Sequence, residues 1–267
     1  MRFGLTLPIF DQLADPSLLA DLAAEAEAAG WDAVFVWDHL RYRAPLTAAT
    51  DPWIAMAAMA TRTERIRLGA MVTPVARRRP HVLARQLVAL DRLSNGRMVF
   101  GAGLGLDNSG GEFAAFGEQA DPRIRAEMLD EGLGLLRSLL AGEEVDHHGR
   151  HYTAAEVRFL PTAVQAPLPI WVAARWPNQR PLHRAAAYDG AFIIEMAVTD
   201  LPAALAVIAE HRPVGLSDYD VVVEDSPGAD PAPWESAGAT WLLTSFDPFT
   251  IDADVVHAAI AAGPPGR

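Results

Sequence analysis

Along the chain, short runs of apolar, often β-branched residues alternate with longer stretches whose hydrophobic positions recur at helical spacing. The first run, Arg2 to Ile9, predicts a strand, and Ser17 to Ala29 predicts a helix stopped by Gly30. The pairing then repeats. A strand over Asp32 to Trp37 precedes a helix from about Pro52 to Thr61. A third strand, Arg65 to Thr73, precedes a helix that opens at Pro80 and stops at Asn95-Gly96. The fourth, Arg97 to Gly103, meets its helix, Arg123 to Ala141, only after a long loop. Glu143 to Pro167 interrupts the pattern with a polar excursion that reads as a small hairpin. Strands resume at Pro169 to Ala174, Gly190 to Glu195, Tyr219 to Glu224 and Ala239 to Ser245. Their helices fall at Arg180 to Ala187, Leu201 to His211, weakly near Trp234, and at Ala253 to Ala261.

Eight strand–helix pairs predict an α/β fold, a (β/α)8 TIM barrel, in one domain over residues 1–267 with an excursion after the fourth helix. The main competitor is a doubly wound sheet, which FGAGLGLDNSGG would support if it were a dinucleotide-binding turn. Counted from Gly101, the sixth place of that fingerprint is Leu106 instead of glycine, and no helix follows at once. The barrel is favoured.

Composition removes several chemistries. With 51% hydrophobic and 21% charged residues the chain has ample material for a core. MRFGLTLPIF lacks the basic start and apolar run of a leader, and no stretch is long and apolar enough for a membrane span, so a cytoplasmic protein is expected. A net charge of −12 argues against nucleic acid as partner. There is no cysteine, which excludes thiolate nucleophiles and disulfides. There is also no lysine; all 22 basic residues are arginine, so Schiff-base chemistry and Walker-type phosphate loops are excluded.

In a barrel the site lies at the C-terminal ends of the strands. VFVWDHL ends the second strand with Asp38 and His39, an acid and a group able to exchange protons near neutrality. A capped turn with a packed histidine explains the pair equally well. Arg77 to Arg79, after the third strand, suit an anion at a helix start, but a solvated basic turn is the stronger expectation. Arg175, Asn178 and Arg180, after the fifth strand, stand where a phosphate could be held. His147, His148 and His151 lack carboxylates at convincing ligand spacing, and no metal is expected. Asp38, Glu195 and Glu224 all end strands, as a glycosidase would need, yet the fourth strand ends in Gly103-Leu104-Gly105 where such barrels carry their acid.

Several segments together resemble the bacterial luciferase-like monooxygenase family. They are GWDAVFVWDHL, DPW, RIRLGAMVTPVARRRPHVLARQLVALDRLSNGR, EFAAFGEQADPRIRAEMLDEGL, PIWVAARWPNQRP and GATWLLTSFDP, and they cover nearly the whole chain. The resemblance implies an oxidoreductase with reduced FMN or the deazaflavin coenzyme F420 in the barrel mouth, acting on a small organic substrate. It implies His39 as the active-site histidine and Asp38 against the cofactor. A non-prolyl cis peptide would fall at Met71-Val72 beneath the ring, with Thr73 beside it. Ala173, Ala174, Arg175 and Trp176 would lie near the cofactor phosphate, and Asn108 is the polar residue to watch in the strand 4 loop. Relatives that act on sugar phosphates use lysines this chain does not have, and the segment between the sixth and eighth strands is short. A separate flavin or F420 reductase and a homodimer are further expectations of the resemblance. A non-catalytic flavin-binding barrel is the alternative.

Overall fold

Three of the helices begin with the same two residues. Asp15-Pro16, Asp51-Pro52 and Asp121-Pro122 open α1 (Pro16–Ala28), α2 (Pro52–Arg62) and, later in the chain, the helix Pro122–Ala141. Proline presets the first helical φ, and each aspartate accepts from free N–H groups of the first turn, Ser17 at 2.8 Å, Trp53 at 2.8 Å and Arg123 at 2.8 Å. The computed structural model describes residues 1–108 and 110–266.

The strands are β1 (Arg2–Leu7), β2 (Ala33–Val36), β3 (Arg67–Pro74), β4 (Met98–Gly103), β5 (Glu144–His148), β6 (Thr153–Arg158), β7 (Ile170–Ala174), β8 (Gly190–Ile193), β9 (Asp220–Asp225) and β10 (Trp241–Ser245). Eight of them close a parallel barrel in the order β1-β10-β9-β8-β7-β4-β3-β2. β5 and β6 form the antiparallel hairpin of the polar excursion. The remaining helices are α3 (Pro80–Leu93), α4 (Pro122–Ala141), α5 (Gln179–Ala186), α6 (Leu201–Glu210), α7 (Ala232–Ser236) and α8 (Ala253–Ala261).

Period-two alternation splits the buried residues into two cores. Val34, Val36, Leu68 and Ala70 face the helices, while Phe35, Met71, Val99, Trp171, Phe192, Val222, Trp241 and Leu243 fill the barrel. At the N-terminal end of the strands, Asp220 accepts from the indole N–H groups of Trp171 (3.0 Å) and Trp241 (2.9 Å) and pairs with Arg2. This end is therefore plugged, and the opposite end carries the cavity.

The wall is regular except between β3 and β4, where the register shifts between Ala70 and Thr73 and the Met71-Val72 peptide bond is cis. The glycines of FGAG make room for this bulge. A Cβ on Gly101 would stand 2.1 Å from the Ala70 carbonyl oxygen and 2.8 Å from the Met71 sulfur, and one on Gly103 would stand 2.3 Å from Val72 Cγ2. The glycine-rich stretch thus belongs to barrel packing, not to a nucleotide turn.

Because the backbone at Ala70 cannot retreat as a side chain could, Gly101→Ala should cost about 2 kcal/mol and lower the melting temperature by roughly 4–8 °C. Thermal unfolding followed by circular dichroism tests this; an unchanged midpoint would show that the bulge does not need the glycine.

Candidate active site

The chain leaves β2 at Val36, and Trp37, Asp38 and His39 follow at the rim of the barrel. Here the sequence reading of the arginine triplet is corrected. Arg77 and Arg78 are not a solvated turn; a short 3-10 segment, Val75–Arg77, turns them inward beneath the end of β2. The Arg77 side chain is only 4% exposed and Asp38 is 0% exposed, and the two form an ion pair. Arg77 Nη2 also donates to the Asp38 backbone oxygen at 2.9 Å. Arg78 Nη2 donates to both Asp38 carboxylate oxygens, at 3.1 and 3.0 Å, and its guanidinium lies over the Trp53 ring. Trp53 Nε1 (3.0 Å) and Thr73 Oγ1 (2.9 Å) complete the shell.

Burial pushes the Asp38 carboxyl up, but the charges of Arg78 and Arg77, with hydrogen bonds from Trp53 and Arg78, more than reverse this. The net position is below the ordinary carboxylate range.

Sequence reasoning missed the residue that orients His39. Glu112, buried in the loop after β4, accepts from Arg77 Nη1 at 3.0 Å and from the Leu40 N–H, and its Oε2 stands 2.7 Å from His39 Nδ1. A carboxylate can only accept, so Nδ1 carries the hydrogen of this contact and Nε2 is the nitrogen left to face a ligand. Nε2 has no protein partner among the described residues, and the ring lines the cavity. Phe10, Trp37 and Tyr42 surround the imidazole at centroid distances of 5.9, 5.9 and 5.2 Å. Carboxylate on one edge and aromatic rings around it hold the ring in one orientation. The only sequence signal for Glu112 was its place in EFAAFGEQADP, which carries no spacing relation to His39.

The cavity encloses about 550 Å³. Met71, Val72, Leu104, Phe192 and Ile194 supply apolar wall, and Ala173, Ala174, Arg175 and Asn178 form the β7 side. Of the residues that the family resemblance assigns to the site, Asp38, His39, Met71, Val72, Ala173, Ala174 and Arg175 line it. Three do not. Thr73 turns its hydroxyl to Asp38 behind the wall, Asn108 is exposed on the loop, and Trp176 packs against the outer core. The three histidines of the excursion face single carboxylates, His147 with Glu131, His148 with Asp146 and His151 with Glu127. No group of metal-ligating side chains able to hold an ion occurs among the described residues.

Because the folded Asp38 pKa lies below its ordinary 3.8, its stabilising contribution is complete above pH 3.8 and is lost as pH falls through the lower folded value. Asp38→Asn leaves two guanidinium groups short of their counter-charge and should cost about 3 kcal/mol at neutral pH. In urea unfolding at a series of pH values, the gap from wild type should narrow below pH 3.8. A gap independent of pH would remove the ion pair as its cause.

A family model described as luciferase-like monooxygenase matches residues 1–223. An F420-dependent glucose-6-phosphate dehydrogenase of Beutenbergia cavernae is 33% identical over 231 residues, covering 83% of this chain and 66% of that protein. A limonene 1,2-monooxygenase of Rhodococcus erythropolis is 30% identical, covering 79% of this chain and 51% of that protein. The chain thus spans between about half and two thirds of the length of these curated relatives. Among solved structures, an F420-dependent secondary alcohol dehydrogenase in complex with an F420-acetone adduct superposes with a TM-score of 0.81 at 17% identity, covering 98% of this chain and 97% of the other. That likeness establishes the fold, an eight-stranded parallel barrel with flanking helices. Taken with the match over residues 1–223, the chain belongs to the luciferase-like monooxygenase family.

Proposed function

We propose that the protein is an oxidoreductase that binds coenzyme F420 or FMN in the barrel mouth and uses His39 to exchange a proton with a small organic substrate. The observation that carries this reading is the orientation of His39, with Nδ1 held by Glu112 and Nε2 unpartnered at the cavity. The donor set suits such a cofactor. A flat ring fits against Met71, Val72, Leu104 and Ile194, in a cavity within the usual range for small-molecule sites. At the β7 end, Arg175 and Asn178 stand at the start of α5, whose first N–H groups have no side-chain cap, and this corner would hold the phosphate.

When bound, the cofactor supplies a two-electron acceptor or donor. His39 Nε2 takes the hydroxyl proton as an alcohol carbon becomes a carbonyl, or returns it in the reverse direction. Asp38 acts through position: its carboxylate is saturated by Arg77, Arg78, Trp53 and Thr73 and has no proton to offer. The apolar wall keeps water from the reacting carbon. Hydride exchange with F420 is favoured, because such a reaction asks of the protein one well-oriented proton carrier. FMN and oxygen are the second reading, supported by the 30% identical limonene 1,2-monooxygenase, and would need a separate reductase.

Fluorescence titration with F420 and with FMN should give a Kd below about 0.1 mM for at least one, an affinity of roughly 5.5 kcal/mol. His39→Ala should keep that affinity within about threefold while turnover falls by about 10²–10⁴. If neither cofactor binds, the proposal fails. If His39→Ala turns over normally, the proton carrier is another residue.

A further inference from the structure

Opposite His39 the cavity changes character. Its wall there comes from the C-terminal ends of β8, β9 and β10 and contributes Glu195, Glu224, Ser245 and Asp247. Glu195 has φ +54° and an ion pair to Arg175. Arg175 is the one arginine that lines the cavity among the described residues; it is paired with Glu195 and stands at the α5 corner assigned above to the cofactor phosphate, not at the Glu224 wall. Glu224 has no ion-pair partner among the described residues. Ser245, at the end of β10, lines the same stretch of wall. Burial pushes its carboxyl up, and the charge of Glu195 adds to this against Ser245, the Glu195 N–H and Arg175.

Such a wall disfavours an anion whichever form Glu224 takes. Ionised, it repels a phosphate or carboxylate across a partly desolvated space. Neutral, it offers one O–H donor and one C=O acceptor, the pair that a hydroxyl or carbonyl group satisfies. Phe192 and Ile194 beside it supply apolar surface for a hydrocarbon body. No lysine exists anywhere in the chain to offset the carboxylates.

We infer that the substrate is an uncharged small alcohol or ketone, and that Glu224 and Ser245 are the residues that select it against phosphorylated compounds. This rests on the oxidoreductase reading of the mouth, with the substrate's hydroxyl carbon lying between His39 and this wall.

The test uses two ligands with one apolar body, cyclohexanol and cyclohexyl phosphate, titrated into the cofactor-free protein with inorganic phosphate present to fill the α5 corner, and followed by saturation-transfer NMR. Cyclohexanol should bind at least about tenfold more tightly than its phosphate ester. In Glu224→Gln, which keeps the side-chain shape, the disadvantage of the phosphate should shrink by at least about threefold. In Ser245→Ala cyclohexanol should weaken while the bias against phosphate persists. Equal or tighter binding of cyclohexyl phosphate overturns the inference. So does an unchanged bias in Glu224→Gln, or no cyclohexanol binding up to about 100 mM. Failure of the flavin reading registers separately, in the cofactor titration, since no step here uses cofactor.

Discussion

Two guanidinium groups, one buried and one partly buried, facing two buried carboxylates set the geometry on which the mouth of the barrel depends. Arg77 joins Asp38, at the end of β2, to Glu112, in the loop after β4, and Arg78 doubles the contact to Asp38. A buried ion pair of this kind adds little net stability over an apolar replacement, because both partners give up hydration. Its value is directional. The planar fork of Arg77 reaches one carboxylate through each terminal nitrogen, which a lysine ammonium could not do with the same geometry. The loop carrying Glu112 is thereby fixed against β2, and Glu112 in turn fixes the ring of His39.

The second constraint is steric and comes from the same corner. β3 and β4 lie close enough at the bulge that Gly101 and Gly103 leave no room for a Cβ. Met71 and Val72 are thus carried into the cavity as a ledge beside His39, while Thr73, the next residue, faces away and closes the shell around Asp38. One irregularity in the wall therefore supplies both an apolar surface for a ring and a hydroxyl for the charge network. This is why a residue adjacent to the ledge in sequence is not part of its surface.

Local pattern made most of the architecture legible. Apolar runs and helical spacing each report on a few neighbouring residues, and the structure keeps the strands and helices within one or two residues of the predicted bounds, as at Arg67–Pro74 and Pro52–Arg62. The strand-end position put His39 at the mouth without deciding its role, and the family resemblance singled it out. Glu112 was not, since it meets His39 across 73 positions that no periodicity connects. The arginine triplet misled for a related reason. Consecutive charges look solvated until their counter-charges are known, and Asp38 lies 39 and 40 residues away. Asn108 and Trp176 were named for loops that do approach the mouth, but one side chain is exposed and the other packs against the outer core.

The distribution of compensated charge divides the mouth functionally. On the β2–β4 side every buried carboxylate has an arginine, so the field there is nearly cancelled and His39 meets an environment of aromatic rings and dipoles. On the β8–β10 side Glu224 is uncompensated, and the nearest guanidinium, Arg175, is shared with Glu195. Away from the α5 corner a charged substrate group would gain on neither half: an anion meets carboxylates on one and apolar ledge on the other. In the proposed arrangement, a flat ring with its phosphate at the α5 corner would leave the space between Nε2 of His39 and the Glu224 carboxyl for the reacting molecule. Polarity there is confined to hydrogen-bonding groups, which discriminate by the presence of a hydroxyl or carbonyl more sharply than apolar contact discriminates by size.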